Sequence, residues 1–173
     1  GDSERVRPEA LMLAIQRKIV DGSDAIVMAE SGNSFTWATR MLRFSEPGRY
    51  RVSTGVGAMG HMSAGVVGAA LATGRKAVAI VGDGAMLMNN EINTAAKHKV
   101  PAVWIVLNDA RYNMCFQGLA MLRMTGPDAT FPKADFVSIA KGMGADAIRV
   151  DRESELDSAL DQALAASGPF IVD

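Results

Sequence analysis

A chain of 173 residues has room for one domain and little more. Its 18 Lys and Arg against 19 Asp and Glu leave a net charge of −1, which excludes the basic excess that a nucleic-acid-binding face requires. Apolar residues make up 49% and charged residues 21%, a mix that builds a globular core, and no apolar run approaches the ~18 residues of a membrane-spanning helix.

In chain order, Pro8 to Val20 reads as a helix: proline suits a first turn, and Leu11, Ala14, Ile15 and Ile19 recur at three-four spacing, with Lys18 the polar exception. Ala25 to Ala29 is a short buried strand, ended by Glu30-Ser31-Gly32-Asn33. Tyr50 to Thr54 is a second strand, followed by the glycine-rich turn Gly55-Val-Gly57-Ala-Met59-Gly60 and by a helix of small residues from Met62 to Thr73. Ala77 to Val81 is the clearest strand, closed by Gly82-Asp83-Gly84 and followed by a helix from about Ala85 to His98. Val100-Pro101 breaks that helix, and Ala102 to Leu107 is another buried strand, ending at Asn108-Asp109. Signals are mixed from Ala110 to Pro132. Then come a helix (Ala134 to Gly142), a strand (Ala147 to Val150), a helix (Glu153 to Ala166) and a final strand from Pro169 to Val172.

Strands alternating with helices predict an α/β fold: a doubly wound, mostly parallel sheet with helices on both faces. Ligands of such sheets bind beyond the carboxyl ends of the strands, here the loops at Glu30, Gly55, Asp83 and Asn108. The single cysteine, Cys115, excludes an internal disulfide or a cysteine-rich zinc site. With a polar start, Gly1-Asp2-Ser3-Glu4-Arg5, that makes a cytoplasmic location the expectation.

Two readings of the glycines compete. Gly55-x-Gly57-x-x-Gly60 lies between strand and helix, and Asp83 follows Gly60 by 23 residues; alone, this is the pattern of a nicotinamide-dinucleotide site and an oxidoreductase. The second reading joins two strand ends. Asp83 and the Asn108-Asp109 pair, 25 and 26 residues on, come side by side in a strand-helix-strand unit, so oxygen donors from adjacent strands face one point. Gly84 lets backbone approach a phosphate, and hard oxygen donors beside a phosphate suit Mg²⁺. For Asp83 alone, a helix N-cap explains the residue equally well.

Gly82-Asp83-Gly84, the gap of about 25 residues and Asn108-Asp109 together resemble the thiamine diphosphate motif, with Val100-Pro101 and the Gly57-Ala58-Met59-Gly60 turn in keeping. The resemblance runs from about Pro8 to Val172 and is to the pyrophosphate-binding domain of the acetolactate synthase and pyruvate decarboxylase group. It implies that residues 1–173 are one such domain, with thiamine diphosphate and Mg²⁺ as cofactors. Asp83, Asp109 and the carbonyl of Arg111 would be metal ligands, although the family usually has asparagine where this chain has Asp109. Gly82, Gly84, Ala85 and Asn108 would lie at the diphosphate, with Asn33 and Ser34 reaching it and Asn113 and Met114 flanking the cofactor. Met59 would prop the cofactor in its bent shape, and the Gly57 carbonyl would accept from its pyrimidine amine. Taken without the motif, Met59 is one of 11 methionines that fill gaps.

Cys115 lies where decarboxylases of the group often carry a glutamate, and its absence favours ligation over simple decarboxylation of a 2-oxo acid. As a thiol, Cys115 is expected to be buried and inert. Gly118 lies where acetolactate synthases place a tryptophan, which implies a roomier acceptor pocket. His61 is a candidate to line the site, and His98 suits a helix C-terminus. The glutamate that the family places on the pyrimidine ring belongs to another domain, absent from this chain. That domain would be a separate subunit, as in sulfopyruvate decarboxylase-like systems, or part of a longer polypeptide; either implies a homo- or hetero-oligomer. A noncatalytic subunit is the remaining alternative.

Overall fold

The structure, a computed structural model, describes residues 5–88 and 91–173. Six strands form one sheet: β1 (Ile26–Ala29), β2 (Tyr50–Val52), β3 (Ala77–Gly82), β4 (Ala102–Leu107), β5 (Asp146–Ile148) and β6 (Phe170–Val172). Their order is β2-β1-β3-β4-β6-β5, and every pairing is parallel, so the mostly parallel expectation becomes an all-parallel sheet among the described residues.

The continuous apolar runs of β3 and β4 follow from burial on both faces. Val78 and Ile80 of β3, with Val103 and Ile105 of β4, point to one side, where α1 (Pro8–Ile15), α2 (Asn33–Met41) and α8 (Leu156–Ala165) cover them. Ala79, Val81, Trp104 and Val106 point to the other, under α3 (His61–Thr73), α4 (Asp83–Met86), α5 (Glu91–His98) and α7 (Phe136–Gly142). Fully burying one such Ile or Val stabilises the fold by about 1.5–3 kcal/mol. α6 (Asn113–Met121) buries no residue in either cluster.

Several elements differ from the sequence reading for identifiable reasons. The first helix passes at Gln16 into a five-residue π-turn ending at Val20. The helix expected from Ala85 to His98 is two helices: Met88 N–H reaches back only to the Ala85 carbonyl, which tightens and closes α4, and α5 starts at Glu91. Asn89 and Asn90 between them lie outside the described residues. α2 and α6 have no counterpart in the sequence reading: α2 turns Ser34, Trp37, Ala38 and Met41 to the core at helical spacing, a stripe the sequence reading passed over, whereas α6 buries nothing.

Chain direction across the sheet reverses between β1 and β3: from β1 the chain steps outward to β2, from β3 to β4 on the other side. The carboxyl ends of β1 and β3 therefore flank the topological switch point, where an open α/β sheet offers a crevice.

Candidate functional site

Asp83 stands at that crevice, only 2% exposed, as the first residue of α4. The N-cap position belongs to Gly82, so the cap explanation for Asp83 does not hold. Its Oδ1 accepts from Gly84 N–H at 2.8 Å, and its Oδ2 accepts from Asp109 N–H at 3.0 Å and Ala110 N–H at 2.6 Å. One carboxylate thus ties the end of β3 to the loop after β4. Burial pushes the Asp83 carboxyl above its ordinary range, the Ala110 and Gly84 N–H groups pull it down, and the Asp109 charge adds to the rise.

Asp109 is raised by burial as well, opposed by the Arg111 charge and by the Asn113 amide, which donates to its Oδ2. Arg111 Nε lies 3.9 Å from the same oxygen, and its guanidinium stacks over the Phe116 ring. Arg111 faces Thr130 in an isolated antiparallel bridge whose hydrogen bonds run through the flanking residues, Tyr112 N–H to Ala129 and Phe131 N–H to Ala110. In such a pair the central carbonyl is turned away from the partner strand, which leaves the Arg111 carbonyl unused by the bridge. Asn108 lines the cleft but sends its amide elsewhere: Nδ2 donates to the Ala134 carbonyl at 3.1 Å and to Asp173 Oδ1 at 2.8 Å.

Across the crevice, Glu30 directly follows the last residue of β1. The turn Gly57–Gly60 runs into α3, and its two glycines adopt left-handed backbone at φ 70° and 91°. The Gly57 carbonyl accepts from Ser31 Oγ at 2.6 Å. Met59 is 41% exposed at the cleft wall. Asn33 and Ser34 open α2 and also line the cleft, with the buried Ser34 hydroxyl donating back to the Glu30 carbonyl at 2.8 Å.

The cleft encloses about 810 Å³. It brings together Asn33, Ser34, Met59, Gly82, Asp83, Gly84, Ala85, Asn108, Asp109, Arg111, Asn113, Met114 and Cys115 of the sequence candidates. Gly57, Gly118 and His61 are not among the residues that line it. Gly57 reaches it through Ser31, Gly118 sits farther along α6, and His61 is an exposed residue whose Nδ1 pairs with Ser53 Oγ at 2.8 Å. Cys115 is exposed, not buried as the sequence reading expected, because α6 rests on no part of the core. Residues that sequence reasoning passed over include Ser31 and Tyr112, whose ring packs on Gly84, and Glu30, considered only as a strand end. The signal for Glu30 was present: an acid placed directly after four buried apolar residues.

The family description "Thiamine pyrophosphate enzyme, C-terminal TPP binding domain" matches residues 30–173. The chain belongs to this family. It is 32% identical over 99% of its length to acetolactate synthase of Bacillus subtilis, and 32% identical over 97% of its length to benzoylformate decarboxylase of Pseudomonas aeruginosa. It superimposes with a TM-score of 0.90, at 27% identity and 98% coverage, on the thiamine diphosphate-dependent 4-hydroxybenzoylformate decarboxylase of Rhodococcus jostii RHA1. The chain spans about a third of these proteins: 30% and 32% of the two curated relatives and 32% of the solved chain.

The donor chemistry fits the family's cofactor. No cluster of three or more His, Cys, Asp or Glu side chains occurs among the described residues. Asp83, Asp109 and the Arg111 carbonyl, which the bridge leaves unused, are hard oxygen donors of the kind that would suit Mg²⁺ shared with phosphate oxygens and water. A divalent cation there would also offset the burial that raises both carboxyls. No helix among the described residues is long and apolar enough to cross a membrane.

Proposed function

We propose that this chain is the diphosphate- and metal-binding part of a thiamine diphosphate-dependent carboligase that decarboxylates a 2-oxo acid and joins the remaining carbon unit to an acceptor, as an acetolactate synthase does. The observation that carries the reading is the meeting of Asp83 with the backbone of Asp109 and Ala110 at the switch point, opposite the Gly57–Gly60 turn. In this reading Asp83, Asp109 and the Arg111 carbonyl hold Mg²⁺. Gly82, Gly84 and Ala85 lie along the diphosphate, Asn33 and Ser34 close its far side, and Asn113 and Met114 flank it. Met59 would pack against the cofactor, and the Gly57 carbonyl would accept from its pyrimidine amine. Bound thiamine diphosphate supplies the electron sink for loss of CO₂.

The remaining part of the site is assigned to a pyrimidine-binding domain or subunit. Support comes from the one-third span and from the exposed apolar side chains of α6 and its flanks, among them Met114, Phe116, Met121 and Leu122. Contiguous exposed apolar surface of this kind marks an interaction face. Cys115, an exposed thiol at the cleft, favours ligation because a thiol holds the position where decarboxylases of the group often carry a proton-donating glutamate. Gly118 then leaves space for an acceptor larger than pyruvate.

A second reading, simple decarboxylation of an aryl 2-oxo acid, is favoured by the 0.90 TM-score to a decarboxylase. Pyruvate and benzoylformate, each offered with an acceptor 2-oxo acid to the whole protein carrying thiamine diphosphate and Mg²⁺, separate the two. A hydroxy-ketone equal to the CO₂ released is expected; free aldehyde equal to the CO₂ replaces the first reading with the second. Asp83→Ala that binds thiamine diphosphate as tightly as the parent rules out both.

A further inference from the structure

Glu30 is completely buried, yet its carboxylate is met on every side by backbone. Oε1 accepts from Ser31 N–H at 2.9 Å, and Oε2 accepts from Met62 N–H at 3.0 Å and Ser63 N–H at 2.8 Å, the first turn of α3. A carboxylate with charge-assisted bonds to the start of a helix is held firmly, because the unpaired N–H groups and the helix dipole both favour the anion. Glu30 is itself fixed to the sheet, since its N–H donates to the Ile80 carbonyl of β3 at 2.9 Å. One residue later, Ser31 Oγ donates to the Gly57 carbonyl at 2.6 Å. The Gly57–Gly60 turn is therefore fastened at both ends by consecutive residues: Ser31 holds its first carbonyl and Glu30 holds the helix that leaves it. Two left-handed glycines would otherwise leave the turn its widest conformational choice.

We propose that Glu30 and Ser31 are positioning residues for the cofactor turn, with Ser31 taking one lone pair of the Gly57 carbonyl and so directing the other at the aminopyrimidine. The inference rests on the thiamine diphosphate reading above. A carbonyl fixed before the cofactor arrives has no reorganisation left to do, and small errors in such placement slow proton transfer steeply.

The test uses the whole protein, pyrimidine-binding part included. Amide exchange is first measured without cofactor: Ser31→Ala should speed exchange across residues 57–61. With thiamine diphosphate and Mg²⁺ added, cofactor affinity is measured by titration, and hydrogen–deuterium exchange at the thiazolium carbon by NMR after acid quench. Ser31→Ala should slow thiazolium exchange about tenfold, the scale of one well-placed hydrogen bond, with affinity within about threefold of the parent. Ser31→Thr, which keeps the hydroxyl, should restore the rate. Unchanged amide exchange or an unchanged thiazolium rate in Ser31→Ala overturns the inference and leaves the cofactor reading standing. Loss of affinity in equal measure overturns it too, since that is a binding role alone. A parent protein that neither binds the cofactor nor speeds its exchange overturns both. Glu30→Gln, whose amide nitrogen cannot accept from Ser31 or α3, is the companion variant and should release the Met62 and Ser63 amides to exchange.

Discussion

The ring of Tyr112 lies over Gly84, its Cε1 only 2.5 Å and its Cδ1 2.7 Å from where a β-carbon on that glycine would stand. Real β-carbons do not come so close, so the residue after Asp83 is glycine for a steric reason visible in the chain itself, before any phosphate is considered. Tyr112 is 37% exposed and meets Phe131 in a tilted pair with ring centroids 5.0 Å apart, so the ring has room to swing outward at some loss of that contact.

Gly84→Ala should therefore cost about 1 kcal/mol of stability, the value of a displaced aromatic contact, and should weaken thiamine diphosphate binding more than tenfold by keeping backbone from the phosphate. Adding Tyr112→Ala separates the two effects. Thermal melts of the double variant should return to those of Tyr112→Ala alone, whereas titration with the cofactor should show no recovery.

How far the sequence carries depends on what each residue faces. β3 and β4 are legible as continuous apolar runs because the sheet buries them on both sides, and the Asp83 and Asn108-Asp109 spacing is legible because the chain must return to an adjacent strand. Asp83's own bonds are not legible. They go to backbone N–H groups of residues 109 and 110, and backbone donors leave no mark on residue identity. Asn108 is legible as a candidate from its place in the pair, but the bond from its Nδ2 to Asp173, after β6, is not. α6 escapes the sequence because periodicity records a core, and this helix has none.

Arg7 and Glu153 pin the segment before α1 to the turn before α8, beside the cleft, with Arg7 Nε 2.7 Å from Glu153 Oε1 and Arg7 N–H also donating to that oxygen. These bonds pull the Glu153 carboxyl from 4.5 to about 2. A carboxyl lowered on folding contributes stability above its unfolded value and loses it as pH falls through the folded one. The parent should thus exceed Glu153→Gln in denaturation midpoint at neutral pH, keep most of that lead at pH 4.5, and lose it near pH 2. Because the pair lies at the surface, 0.5 M salt should shrink the lead as well.

Cys115 can report on the proposed pyrimidine-binding partner. It is exposed here on a helix that buries none of its residues. In the 173-residue chain alone the thiol should react completely with a disulfide reagent under native conditions. In the whole protein, where a pyrimidine-binding surface is proposed to close over α6, the same thiol should react at least tenfold more slowly, and thiamine diphosphate should slow it further. Equal rates in the two forms would remove α6 from that interface.

Asp109 offers the sharpest test of the metal reading, because it is where the chain departs from the asparagine its motif leads one to expect. Its carboxylate is raised by burial and offset by Arg111 at 3.9 Å and by the Asn113 amide. Asp109→Asn keeps an oxygen at the site but removes one negative charge, leaving Arg111 unopposed beside the cation. Mg²⁺ affinity, measured calorimetrically with thiamine diphosphate present, should fall about tenfold in Asp109→Asn and about a hundredfold in Asp109→Ala, which offers no ligand. Arg111→Ala should move affinity the other way, since removing a cation beside a cation site relieves repulsion of a few tenths to about 1 kcal/mol at a half-exposed position. Combined with Asp109→Asn, it should recover part of that variant's loss. If Asp109→Ala binds Mg²⁺ like the parent, the metal is held by Asp83 and the Arg111 carbonyl without it, and the Asp109 carboxylate is no ligand.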